Sequence, residues 1–321
     1  MQLSELKKEM RFNGELLSLV DTLKSIASSR YHALEKEKER FELFMTSFAS
    51  FFRVVDLVEV NDPLVRVTTD ILGLVIVTSD SGFMGGLNSG VMNAAFQVQG
   101  NLSNDKTQLI VIGEKGAAKI ADLGRTFKFF KGIAHETRYE QAVEMAQYLV
   151  GEVKEGRIGR LVLAYPRPLS FSQQVVETIN VLPCAELFDR AAQSEISERV
   201  SERRLLAEAR KVIVESTFKD MVEYLARTWV TSKLYEVFED SKLAEFGARA
   251  IHLEGSHQKV EKVQKKLQHR YFKASHERID KGMRESYSAG NIRKKKDKAA
   301  TRAAAAVDAA AVADAVDAEG A

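Results

Sequence analysis

Several things are scarce in this chain of 321 residues, and each scarcity excludes something. Cys184 is the one cysteine, so there is no disulfide framework and no Cys-rich zinc or iron–sulfur site. No run approaches the ~18 uninterrupted apolar residues of a membrane span. The opening MQLSELKKEMRF mixes charges and holds no apolar signal core, so we expect a protein that is not secreted. Neither sign of charge dominates. Lys and Arg number 47 against 45 Asp and Glu, a net charge of +2, and no nucleic-acid partner is expected from that balance. With 45% hydrophobic residues the chain has enough apolar matter for a sizeable core.

The few prolines are also unevenly placed. All four (Pro63, Pro166, Pro168 and Pro183) and 13 of the 19 glycines lie between positions 61 and 183. Proline inside a helix removes a hydrogen bond and clashes with the preceding turn, so two long proline-free flanks permit long helices. A glycine-rich middle is where tight turns belong. The expected layout is helix, compact turn-rich domain, helix.

Alternating steps of three and four from Leu3 test the first flank. They pass through Leu6, Met10, Asn13, Leu17, Val20, Lys24, Ala27, Tyr31, Leu34, Lys38, Phe41, Met45, Phe48, Phe52 and Val55. Only Asn13, Lys24 and Lys38 interrupt this apolar seam, the pattern of a coiled coil. The mixed-sign run Glu35–Arg40 fits an exposed helix with close ion pairs. The last flank, from about 194 to 287, carries one stripe at Val212, Phe218, Val222, Leu225 and Trp229. A second lies at Val260, Val263, Leu267, Tyr271 and Ala274. Gly247 and Gly255 could mark a bend. Two such helices can bury their seams against each other as an antiparallel pair.

The middle reads as α/β. The run 71–78 (ILGLVIVT) is continuous, apolar and β-branched, the mark of a strand covered on both faces. Helix 89–99, strand 109–112, helix 114–122, helix 138–154 and strands 160–165 and 174–181 follow. Pro166-Arg167-Pro168 is expected to separate the last two strands. Strand–helix alternation implies a small, largely parallel sheet. The fold class expected is α/β: two long terminal helices forming an antiparallel coiled coil, with a small Rossmann-like domain between them. The expected divisions are 1–60, 61–190, 191–290 and a tail, 291–321. The tail holds a basic cluster at 293–298 and then 11 alanines with four acids over 303–321, and is expected to lack order.

The sharpest local feature is Thr78-Ser79-Asp80-Ser81-Gly82-Phe83-Met84-Gly85-Gly86-Leu87-Asn88. A glycine-rich turn between strand and helix is where an α/β protein cradles a phosphate. Neither GxGxxG nor a Walker lysine is present, so the bland reading, a structural turn or docking loop, is preferred. Gly113-Glu114-Lys115-Gly116 reads the same way. The six histidines show no zinc-helix spacing, and Cys184 reads as a small buried residue. No nucleophile–base set assembles, so no catalytic, metal or cofactor-binding residue is expected.

With its 78–88 motif between two long helices, the chain resembles the gamma subunit of rotary F-type ATP synthases over about residues 1–290. Thr78, Ser79, Asp80, Gly82, Gly85, Gly86, Leu87 and Asn88 match that family's TSDRGLCGGLN, with Ser81, Phe83 and Met84 in place of Arg, Leu and Cys. The segment 24–30 is similar to its KMVAAAK. Glu245, Arg249 and Leu253 fit EHAARMxAM, and Tyr271, Lys273 and Ala274 fit YNKA. Ser275-His276 stand where the family has Arg-Gln, Gly282 replaces the Glu of its ITQEI, and the tail exceeds the usual ending. These departures point to a divergent or alternate member.

The resemblance implies a non-catalytic rotor shaft without cofactor. Its partners would be the alpha and beta subunits of a catalytic hexamer, an epsilon subunit, and a membrane rotor ring of c subunits, at the cytoplasmic face of a bacterial inner membrane. It also implies ring contacts at Leu3, Leu6, Met10, Lys24, Arg30, Ser275, His276 and Ile279. Two other readings fit the same pattern: a free-standing coiled-coil scaffold, and an α/β enzyme with a coiled-coil arm.

Overall fold

The computed structural model describes residues 3–52, 62–184 and 218–318. In chain order these form α1 (Leu3–Phe52), β1 (Leu72–Val77), α2 (Leu87–Gln99), β2 (Thr107–Ile112), α3 (Glu114–Asp122), β3 (Lys128–Phe130), α4 (Arg138–Lys154), β4 (Arg160–Pro168), β5 (Gln174–Leu182) and α5 (Phe218–Ala318). They divide into two compact units, Leu19–His257 and a smaller one of Met1–Ser18 with Gln258–Ala321.

The larger unit is built on a sheet ordered β3-β2-β1-β4-β5. All six residues of β1 are buried, as its unbroken apolar run requires. Leu74 and Ile76 join Val91, Met92 and Ala95 of α2 and Ile120 of α3 on one face. Val75 and Val77 join Met145, Leu149 and Val153 of α4 and Val230, Leu234 and Phe238 of α5 on the other. Strand periodicity thus splits one apolar run between two cores. Here the second helical flank departs from expectation. Among described side chains the buried stripe is Ala226, Val230, Leu234 and Val237, while Leu225 and Trp229 are only partly buried; Val212 and the side chains of Phe218 and Val222 lie outside what is described.

Strands β1, β2, β3 and β4 are mutually parallel, and β5 runs antiparallel to β4. Pro166 and Pro168 do not end β4, as expected, but lie within it, paired with Val176 and Gln174. The register of β1 on β4 stops at Ala164, so the proline stretch has a sheet neighbour on one side only, where a missing N–H is tolerated. The three-residue edge strand β3 was not foreseen, because three residues carry no readable alternation.

Within this unit α1 and α5 run antiparallel. Lys24 meets Glu254 at 3.2 Å, while Tyr31 and Leu34, further along α1, pack with Leu243 and Phe246, earlier on α5. Gly247 does not break α5. A Cβ there would lie 2.9 Å from the Phe171 carbonyl oxygen and 2.7 Å from the Gln174 side chain, so glycine allows the helix to close on the β4–β5 connection.

The smaller unit is a helix pair. Leu6 and Leu267 are buried, and Asn13 donates its side-chain amide to the Val260 carbonyl and to Gln264 Oε1 at 3.1 and 2.9 Å. The expected seam residue Val263 is instead 47% exposed. α5 continues to Ala318, through the tail expected to lack order. Alanine has the highest helix propensity, so this segment can propagate a helix already formed.

Candidate functional site

β1 ends at the centre of the sheet, with β2 on one side and β4 on the other. In open α/β sheets this topological switch point, beyond the carboxyl ends of the strands, is where ligands bind. The turn 78–88 lies there. Its first three residues take up the free N–H groups of α3. The Asp80 carboxylate accepts from Glu114 N at 2.9 Å, the Ser79 carbonyl from Lys115 N at 3.0 Å, and Thr78 Oγ1 from Gly116 N at 3.0 Å. The helix terminus that could hold a phosphate is therefore capped by the chain's own oxygens.

Two glycines make this closure possible. Gly113 has φ +91°, and a Cβ there would sit 2.2 Å from the Thr78 carbonyl oxygen; one at Gly116 would sit 2.4 Å from Thr78 Oγ1. Thr78 Oγ1 itself donates to the Ile112 carbonyl at 2.6 Å. The structure thus joins the two glycine-rich segments that the sequence marked separately.

The rest of the turn is tied to α2 and α5. Asn88 Nδ2 donates to Ser79 Oγ at 2.9 Å, and Ser79 N donates to Asn88 Oδ1 at 3.3 Å. Ser79 Oγ donates to the Ser81 carbonyl. Arg249 on α5 donates to Ser81 Oγ at 2.6 Å and to the Gly82 carbonyl at 3.3 Å. Glu245, buried, accepts from Arg249 at 2.6 Å and pairs with Lys242 at 2.8 Å. Gly85 takes φ +59° beside His252. Leu87 opens α2, while Gly82 and Gly86 have open space at the Cβ position. Phe83 holds φ +64° with its ring 60% exposed. The space enclosed by Thr78, Ser79, Met84, Asn88 and Glu245 measures about 10 Å³, no more than a water needs.

The remaining sequence-marked residues lie on the long helices. Leu6 is buried, and Leu3 and Met10 are half-buried. Lys24 is engaged by Asp21 at 3.0 Å as well as by Glu254, partners that raise its pKa. Arg30 is exposed, its guanidinium 5.8 Å from the centre of the Phe246 ring. Ser275 is half-buried, and His276 and Ile279 are exposed. Cys184 is buried, and burial pushes its thiol up to about 12. Among the described residues no group of three or more His, Cys, Asp or Glu could hold a metal, and no helix is long and apolar enough to cross a membrane.

Sequence reasoning missed an ionic cluster centred on a buried arginine and including the half-exposed Glu37. Arg138, the first residue of α4, reaches Glu37 of α1 at 2.8 Å and Glu239 of α5 at 3.5 Å. The available signal was Glu239-Asp240-Ser241, three polar residues in succession beside the buried Phe238.

Fold and site together define a class: an α/β head built on an antiparallel helix pair, with the ligand crevice of its sheet filled by its own turn. A family model described as ATP synthase matches residues 2–288, and the chain belongs to that family. A protein named ATP synthase gamma chain from Clostridium acetobutylicum is 28% identical over 176 residues, covering 54% of this chain and 56% of its own. One of the same name from Desulforudis audaxviator is 23% identical, covering 57% and 61%. The chain thus spans about three fifths of the length of these two relatives. The Bacteroides thetaiotaomicron protein of that name is 21% identical over 285 residues, 86% of this chain and 95% of its own. In fold the chain is similar to the rotor of Euglena gracilis mitochondrial ATP synthase in rotational state 1. The TM-score is 0.56 at 15% identity, covering 86% of this chain and 98% of that one. It is also similar to a chain of the Tetrahymena thermophila mitochondrial ATP synthase central stalk and c-ring, with a TM-score of 0.53 at 18% identity, covering 74% and 99%.

Proposed function

We propose that the chain is the gamma subunit of an F-type ATP synthase, the central rotor shaft that couples ion flow through a membrane ring to ATP chemistry in a hexamer of alpha and beta subunits. One observation carries this reading. The sheet's switch-point crevice is spent on binding the chain's own turn and, through Arg249, its own long helix. Such a domain is suited to gripping a helix rather than to holding a nucleotide. The relatives' name and the family match support the same assignment. Neither the free-standing scaffold nor the armed enzyme gains support from them.

The work divides as 1–60 and 191–290 for the shaft, 61–190 for the head that meets the epsilon subunit and the c ring, and 291–321 as an added segment. Leu3, Met10, Ser275, His276 and Ile279 serve the bearing inside the hexamer, while Leu6, buried in the helix pair, supports that bearing from within. Of the two cations among the implied ring contacts, Lys24 is already paired with Asp21 and Glu254, so Arg30 is the more available to meet acidic loops of the ring. The complex sits at the cytoplasmic face of a bacterial inner membrane. Charge reversal at Arg30 is expected to lower ion pumping per ATP hydrolysed in membrane vesicles more than reversal at Lys24; equal, unaltered coupling in both variants overturns the contact assignment.

A further inference from the structure

Most of what α5 offers the sheet is apolar: Ala226, Val230, Leu234, Val237 and Phe238. Apolar contact is non-directional and fixes the rotation of a helix about its own axis weakly. The next two residues differ. Glu239 and Asp240 are 4% and 2% exposed. Each faces an arginine of the α/β domain, Glu239 facing Arg138 at 3.5 Å and Asp240 facing Arg167 at 3.9 Å.

Arg138 is the unusual partner. It is 5% exposed, although arginine is rarely buried so deeply. Its Nη2 serves Glu37 of α1 as well as Glu239 of α5, while Nη1 meets His135 Nδ1 at 2.8 Å. One guanidinium thus touches both long helices from the N-terminus of a helix packed on the sheet. The arrangement is not optimised for stability. Arg138 Nε and Glu239 Oε2 are buried without a hydrogen-bond partner among the described residues, and desolvation raises the pKa of Glu239. Buried ion pairs are often no more stable than an apolar replacement, and their best-attested use is to fix register.

We infer that Arg138 is the positioning residue that fixes the angular register of α1 and α5 on the α/β domain, so that torque passes between head and shaft without slip. The inference rests on the shaft reading. Apolar packing at the junction would let the helices settle in neighbouring orientations. A guanidinium shared by the buried Glu239 of α5 and the half-exposed Glu37 of α1 favours one, because turning α5 would leave Glu239 buried and unpaired, and turning α1 would take Glu37 off the same guanidinium.

The test uses the whole complex in membrane vesicles, with ATP hydrolysis and ATP-driven ion uptake followed together. Arg138→Met is expected to keep hydrolysis within about twofold while uptake per ATP falls at least threefold, and Arg138→Lys to recover part of the loss. The triple variant Arg138→Met/Glu37→Leu/Glu239→Leu separates register from stability. Its free chain is expected to melt at or above the wild-type temperature, since no buried charge is left unpaired, yet uptake per ATP stays low. Wild-type coupling in a triple variant of restored stability would overturn the inference, and it remains decisive where Arg138→Met fails to assemble. The wild-type control keeps the two readings apart: absence of the wild-type chain from the ring overturns the shaft reading itself.

Discussion

The Asp80 carboxylate accepts the backbone N–H of Glu114 at 2.9 Å, across 34 residues of sequence. With Thr78 and Ser79 it caps α3, so the motif Thr78-Ser79-Asp80 is explained by three hydrogen-bond acceptors in a row. Asp80→Ala removes a solvent-exposed cap and should cost about 1 kcal/mol. Thr78→Val strips a buried hydroxyl that serves both Gly116 N and the Ile112 carbonyl, and should cost about 2 kcal/mol. Urea unfolding of the free chain checks both values and their order.

The helix pair carries a second testable pin. Asn13 breaks the apolar seam of α1 and bonds to Val260 and Gln264 of α5. A partnered polar residue in a seam specifies register at some expense in stability. Asn13→Leu should therefore raise the melting temperature of the free chain while slowing the unfolding measured by hydrogen exchange around 258–267. Asn13→Ala should lower stability by about 1 kcal/mol.

Much of the architecture was legible in the residues, for reasons that Asn13 and Ile76 illustrate. The α1 seam is visible because helix periodicity repeats over many turns, and β1 because a strand buried on both faces has no polar position. Of the three seam exceptions, Asn13 and Lys24 are partnered across to α5; the side chain of Lys38 lies outside the described residues. The 78–88 turn was recognisable as special, but its partners were not. Glu114 and Gly116 lie over 30 residues away and Arg249 some 170, and nothing local encodes that distance. Arg138 was missed because a charged residue opening a helix ordinarily faces water.

Acid should weaken the fold through Glu152. It is buried and accepts from Arg157 at 2.8 and 2.6 Å and from Gln108 at 2.9 Å, and these bonds, Arg157 foremost, hold its carboxyl below the usual range. A lowered folded pKa means that the unfolded chain takes up the proton first as pH falls. The contribution is complete above the unfolded value of about 4.3 and is lost as pH drops through the folded one. Glu152→Gln should thus be less stable than wild type at neutral pH and approach it below about pH 4. Denaturation midpoints across that range check the convergence. Arg157 is half-exposed, so salt screening should shrink the difference.

Cys184 provides a reporter of opening. Its thiol is buried and held near 12, far from the thiolate form that reacts. Alkylation of the folded chain near neutral pH should be slow and should accelerate in urea in step with unfolding. Fast labelling under native conditions would show that the core around Leu64 and Leu182 opens locally.

The most direct test of the rotor assignment is recovery of the tagged chain from its native cells at moderate salt, with the co-purifying subunits weighed and the eluate assayed for ATP hydrolysis. The expected result is one copy of this chain with a ring of three alpha and three beta subunits and active hydrolysis. Recovery of the chain alone, or as a homodimer without that ring, would contradict the assignment.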